Sequence, residues 1–173
     1  GVWIGAQLPD PATMQRIAAE VGYSETAFLA PQRGLERSVR YYSPQAEVPF
    51  CGHATIASGV LLGETDGDAT FAFATSVGTV SVQSSVHDGI REASLTSVAP
   101  RHAAVDERRL AAYLDALGWC HDDLDPTMAP VRAYAGAWHL VLATAHGERL
   151  ASLDYPFEAV RSMMLADDLT TLQ

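Results

Sequence analysis

Three stretches of the chain hold side chains able to do chemistry. The first, residues 47–62, reads EVPFCGHATIASGVLL, in which Cys51, Gly52 and His53 lead into a run with almost no polar face. Residues 54–63 (ATIASGVLLG) are apolar or small on every side. A helix of that kind must be enclosed on all sides, as when a sheet curls about it. Ala54, Ala57, Ser58 and Gly59 are small enough to let strands approach closely. The first turn, Gly52-His53-Ala54-Thr55, would then present unpaired backbone N–H groups at the positive end of the helix dipole, where a carboxylate is favoured. Gly52 admits a ligand close to the backbone, and His53 and Thr55 offer side-chain hydrogen bonds. The same residues also read as a plain helix cap, with His53 bonded to a neighbouring strand. A lone cysteine such as Cys51 is more often an inert buried thiol than a nucleophile.

The second stretch is Tyr23-Ser24-Glu25-Thr26-Ala27-Phe28. Glu25 begins a strand whose following residues are apolar, and a carboxyl buried there could give and take a proton near neutral pH. An exposed or ion-paired glutamate is the alternative. Glu47, a second carboxylate near the helix mouth, reads as a structural or polarising group paired with Arg40 or Arg37. The third stretch, His121-Asp122-Asp123-Leu124-Asp125, follows a helix end, lacks the HxH or HExxH spacing of a metal site, and reads as a solvated loop. His139 falls at a core edge, and His87, His102 and His146 fall in turns.

The elements that must carry these residues alternate irregularly, which indicates an α+β fold. Asp10-Pro11 followed by apolar Met14, Ile17, Ala18 and Val21, with Gly22 beyond, predicts a helix over 11–21. Residues 26–30 and 37–43 read as strands on aromatic and β-branched content. Residues 69–75, 77–85 and 89–97 read as an antiparallel meander. The stretch 98–106 (VAPRHAAVD) lacks periodicity and marks a boundary, giving units 1–103 and 104–173. Residues 106–118 form an amphipathic helix ended by Gly118. Residues 130–145 are strand-like, and two short helical stretches follow.

Composition removes whole classes of function. The 173 residues carry a net charge of −10, which argues against nucleic acid and anionic membrane surfaces. All eleven basic residues are arginine, so lysine Schiff bases, a pyridoxal anchor and a phosphate-loop lysine are excluded for this chain. Two cysteines without a CxxC pair indicate a reduced, cytoplasmic protein. No apolar run reaches 18 residues, and GVWIGAQL lacks the charged start of a signal peptide.

MQRIAAEVGYSETAF followed by RYYSPQAEVPFCGHATIAS resembles the phenazine-biosynthesis PhzF-like isomerase family, which has the diaminopimelate-epimerase-like fold. AYAGAWHLVLATA and the final DDLTTLQ resemble that family's second domain. The resemblance implies two pseudo-symmetric domains, each a curled, mostly antiparallel sheet around a central apolar helix. It implies Glu25 as the acid/base that moves a proton between carbons of a small carboxylated substrate, with Gly52, His53, Ala54 and Thr55 holding that substrate. It implies no metal or organic cofactor, and a homodimer. The family's first strand with its Gly-Asn-Pro turn and the second domain's Asp-Pro-x-Thr-Gly motif are absent from these residues. The sequence therefore reads as truncated at both ends and, alone, as a poor catalyst. Two alternatives accompany this reading. One is a two-cysteine racemase or epimerase using Cys51 and, for want of another, Cys120; the other is a ligand-binding homologue without catalysis.

Overall fold

Asp10 and Pro11 open helix α1 (Pro11–Val21) as their types require. The Asp10 carboxylate accepts from the Thr13 N–H at 3.0 Å, proline occupies the first turn, and Gly22 closes the helix at φ 71°. The computed structural model describes residues 1–173 and divides into two compact units, Gly1–Val98 and Ala99–Gln173. The division falls ahead of the boundary expected at 103/104, because residues 101–104 are a strand of the second unit.

In the first unit, β1 (Val2–Ile4) pairs parallel with β2 (Thr26–Pro31), and β2 pairs antiparallel with β3 (Glu36–Tyr42). The two-residue β4 (Glu47–Val48) adds to one end of β3, setting Glu47 opposite Tyr42. Helix α2 (Gly52–Asp66) then crosses over to β5 (Ala69–Thr75), which pairs parallel with β3. The meander of β5, β6 (Gly78–His87) and β7 (Ile90–Thr96) is antiparallel, as expected. The sheet order is β1-β2-β3-β5-β6-β7, with β4 beside β3. Each parallel pair is joined through a helix, since a tight turn cannot connect parallel neighbours.

The sheet curls as a half-barrel about α2. Alternation along β2 sends Ala27 and Leu29 to the α2 side, in a cluster with Val39, Tyr41, Cys51, Ala54, Leu62, Phe71, Phe73, Val80 and Val82. Phe28 points the other way, packing with Met14 and Ala18 of α1 and with Tyr42. Enclosure of α2 on all sides does not occur. Ala54, Thr55, Ser58, Gly59, Leu62 and Gly63 are buried, whereas His53, Ala57, Leu61 and Glu64 form an exposed line along the opposite face. An evenly apolar composition says that a helix tolerates burial, not how far a sheet reaches round it. Gly59 does permit the close approach expected of it. A Cβ there would sit 2.5 Å from Val82 Cγ1 and 2.9 Å from the Ala93 Cβ.

The second unit holds a four-stranded sheet ordered β11-β10-β9-β8, built from β8 (Arg101–Ala104), β9 (Val131–Tyr134), β10 (Trp138–Val141) and β11 (Thr171–Leu172). Helix α3 (Glu107–Ala116) is capped by Asp106, followed by Gly118 at φ 64°, and contributes Leu110, Tyr113 and Leu114 to a core with Leu140 and Leu142. Helices α4 (Gly147–Ala151) and α5 (Phe157–Ala166) are the two short helical stretches. Strand β8 falls within the stretch read as irregular, and it places His102 in a strand rather than a turn. Its strand character comes from pairing with β9, where Arg101 faces Tyr134 and its guanidinium lies 4.2 Å above that ring. No helix is long and apolar enough to cross a membrane.

Candidate active site

Glu25 is the last residue before β2, and His53 lies in the first turn of α2, so the sheet and the helix it cradles bring them together. Glu25 Oε2 lies 3.0 Å from His53 Nε2. The approach is off the hydrogen-bond direction, and Oε2 is buried without a hydrogen bond. The two side chains differ in exposure, 24% for Glu25 and 68% for His53, so the carboxylate is shielded and the imidazole faces solvent. Ser24 Oγ stands 3.4 Å from the same His53 nitrogen, a contact the sequence reading did not weigh although Ser24 adjoins Glu25.

Cys51 is the N-cap of α2, makes no side-chain cap bond, and is buried. Its sulfur lies 3.5 Å from each ring nitrogen of His53. Burial pushes the Cys51 thiol up to about 11, and the neighbouring Glu25 charge adds to the rise; the backbone N–H groups of Ala54 and His53 pull the other way. The thiol is therefore held protonated at neutral pH, which makes it a poor nucleophile.

The helix mouth differs from expectation at Thr55. Its N–H already donates to the Cys51 carbonyl at 3.0 Å, and its hydroxyl donates to the same oxygen at 2.7 Å. Since that hydroxyl has one proton, Tyr41, whose oxygen is 2.6 Å away, donates to Thr55 Oγ1. Thr55 is fully buried and offers a ligand neither group. The first three residues, Gly52, His53 and Ala54, have N–H groups with no partner inside the helix. Over Gly52 the space is open, with nothing within 4 Å of where a Cβ would stand. Ala54 contributes backbone alone, its side chain being buried in the core.

Glu47 lies outside this cluster. Arg40 Nε donates to its Oε1 at 2.7 Å and Arg40 Nη2 to its Oε2, while the Tyr42 hydroxyl adds a bond of 3.3 Å. Arg37 pairs instead with Asp66 at 2.8 Å. A shallow groove of about 630 Å³ runs past Leu8, Arg40, Glu47, Pro49 and Thr75, and none of Glu25, Cys51 or His53 lines it. Convergent side chains, not surface depth, mark the place where chemistry can occur. In the second unit, Asp123 accepts the Cys120 N–H at 2.8 Å and pairs with Arg149 at 3.1 Å, which explains why the His121–Asp125 run is a turn. His139 donates to or accepts from Thr171 Oγ1 at 2.7 Å at the edge of the second core.

A half-barrel around a helix whose N-terminus meets a carboxylate and an imidazole defines a recognisable class. The chain belongs to the PhzC-PhzF family of phenazine biosynthesis-like proteins, whose model matches residues 1–171. It is 32% identical over 134 residues to an uncharacterized isomerase of Bacillus subtilis, covering 75% of this chain and 45% of the relative. It is 34% identical over 110 residues to the trans-2,3-dihydro-3-hydroxyanthranilate isomerase of Pseudomonas fluorescens, covering 62% of this chain and 39% of that one. The chain thus spans less than half the length of each. A solved structure of a predicted epimerase from Pseudomonas aeruginosa superimposes with a TM-score of 0.84 at 20% identity, over 99% of this chain and 62% of that one. A hydroxyproline epimerase from Agrobacterium vitis shares the fold at a TM-score of 0.52 and 14% identity, over 83% and 42% of the two chains.

Proposed function

We propose that this chain carries the proton-transferring site of a cofactor-independent isomerase, which moves a proton between carbons of a small carboxylate-bearing substrate with Glu25 as general acid and base. The observation that carries the reading is the shielded Glu25 carboxylate, buried at Oε2 without a hydrogen bond and 3.0 Å from His53 at the mouth of α2. A carboxylate with an unmatched lone pair is ready to accept a proton from a C–H bond and to return it to another carbon. The N–H groups of Gly52, His53 and Ala54, none of which has an acceptor inside the helix, and the exposed His53 imidazole would hold the substrate's own carboxylate. The helix dipole would stabilise negative charge as it develops on the substrate.

Trans-2,3-dihydro-3-hydroxyanthranilate, the compound named for the Pseudomonas relative, is the first substrate to try. With the full-length protein in D₂O, deuterium should enter the isomerised product. Glu25→Gln should slow incorporation by about 10²–10⁴-fold, the usual contribution of a general base. Near-normal turnover in that variant removes the proposal. Two-cysteine racemisation is disfavoured because Cys51 is held as a thiol and Cys120 caps a single 3₁₀ turn, not an α-helix. Cys120→Ser should leave turnover intact, and a large loss there would revive the two-thiol reaction. Binding of the carboxylate without any deuterium incorporation would point to the ligand-binding homologue instead.

A further inference from the structure

The acid/base reading gives Cys51 no task, although its thiol lies beside both groups that reading uses. A sulfur, an imidazole nitrogen and a carboxylate oxygen from Cys51, His53 and Glu25 all lie within 4.8 Å of one another. We propose that these three side chains form a binding site for a thiophilic divalent transition-metal cation of the Zn²⁺ class, and that its occupation blocks proton transfer at Glu25. The second half rests on the proposed role of Glu25; the first does not.

The donor separations lie within reach of the assignment. Tetrahedral zinc, with Zn–S about 2.3 Å and Zn–N about 2.05 Å, holds the two donor atoms roughly 3.5 Å apart. Cys51 Sγ is 3.5 Å from His53 Nε2 but also 3.5 Å from Nδ1, so it lies beside the ring, and the exposed imidazole must swing to point Nε2 at an ion shared with the thiolate. A carboxylate oxygen and an imidazole nitrogen on the same ion stand roughly 3.4 Å apart. The same swing of the imidazole would open the 3.0 Å between Glu25 Oε2 and His53 Nε2 to that value. An ion would replace the direct contacts of that nitrogen with Glu25 and Cys51 and displace Ser24 Oγ, which stands 3.4 Å from it.

Two further observations point to a cation. Glu25 Oε2 is buried and lacks a hydrogen bond, and a metal ion would supply the missing partner. Charge also balances. On binding, the Cys51 S–H bond breaks, its electron pair forms the sulfur–metal bond, and the proton leaves to solvent. Thiolate and carboxylate together then neutralise a divalent ion, so the shielded site carries no net charge. The solvent side, beyond His53, remains as the fourth position. A thiolate in the set favours zinc or cobalt over magnesium and calcium, which take oxygen ligands.

The test titrates metal-free, full-length protein with Co²⁺, a coloured stand-in for Zn²⁺. One equivalent should bind, with a thiolate-to-cobalt charge-transfer absorption that Zn²⁺ bleaches. Cys51→Ser should abolish the absorption, and Cys120→Ser should keep it. Because a buried substitution can disturb folding, His53→Gln, at an exposed side chain, serves as the second variant and should weaken binding at least tenfold. Absence of the absorption, its survival in Cys51→Ser, or unchanged affinity in His53→Gln overturns the site. Deuterium incorporation should stop as Zn²⁺ saturates and return with chelator. Incorporation that continues in saturated protein overturns the blocking. Absence of incorporation from metal-free protein, with the cobalt absorption intact, overturns the isomerase reading alone.

Discussion

Thr55→Val tests whether the hydroxyl at the mouth of α2 belongs to the protein or to a ligand. Valine keeps the shape and removes the oxygen that receives the Tyr41 proton at 2.6 Å. Tyr41 is 1% exposed, so its O–H is left buried without a partner, a loss of about 1–3 kcal/mol. The bond from Thr55 to the Cys51 carbonyl also goes, but that carbonyl still accepts the Thr55 N–H, so the added loss is about 0.5–1.5 kcal/mol. A total near 3 kcal/mol corresponds to a fall in Tm of roughly 6–12 °C for a chain of this size. Thermal unfolding followed by far-ultraviolet circular dichroism measures it. Tyr41→Phe removes the stranded donor, so the double variant should be more stable than the sum of the two losses by about 1 kcal/mol. Additivity within about 0.5 kcal/mol would refute the paired-hydroxyl reasoning. A fully stable Thr55→Val protein with a raised KM would instead return Thr55 to the substrate.

Stability should also fall in alkali. Burial raises the Cys51 thiol from 9.0 to about 11 and the Tyr41 phenol from 10.0 to about 12, so the native state holds both protons more tightly than the unfolded chain. That stabilisation is complete below the unfolded values and is lost as pH rises through about 11 and 12, by roughly 2–3 kcal/mol per group. Urea midpoints at pH 8 and pH 10.5 measure the decline, which should flatten in Tyr41→Phe. A midpoint independent of pH over that window would show that neither proton is held by burial. Gly59→Ala should destabilise by roughly 1–2 kcal/mol. Overpacking against Val82 and Ala93 at about 1–3 kcal/mol outweighs the gain of up to about 1 kcal/mol in helix propensity. A stabilised variant would show that the strands yield.

Much of the fold was legible where local chemistry decides it. Asp10, Pro11 and Gly22 bound α1 through interactions within a few residues, and short runs bounded by turns along 69–97 reported the antiparallel meander. β4 and β8 were not legible, because a two-residue pairing and a strand of Arg-His-Ala-Ala owe their form to the neighbouring strand. The site divides similarly. The uncapped helix mouth followed from the apolar run after Gly52, and the shielding of the Glu25 carboxyl from its place before an apolar strand. That the two meet is a tertiary fact, visible in sequence only through the paired motifs of the resemblance. At Thr55, residue type shows that a hydroxyl exists, not that Tyr41 and the Cys51 carbonyl already engage it. The exposed face of α2 failed because composition carries no record of how far a sheet curls.

The contact at Gly59 sets more than packing density. It fixes the depth at which α2 rests on β6 and β7, and His53 rides on the same rigid helix roughly 9 Å away at 1.5 Å per residue. Glu25 is anchored separately, at the head of β2. Their 3.0 Å separation is therefore a dimension inherited from a strand–helix contact elsewhere, as a machined gap is set by a shim. Exchanges at Val82 or Ala93, which touch neither group, would alter that gap, so the inward faces of β6 and β7 belong to the tolerance of the site as well as to the core.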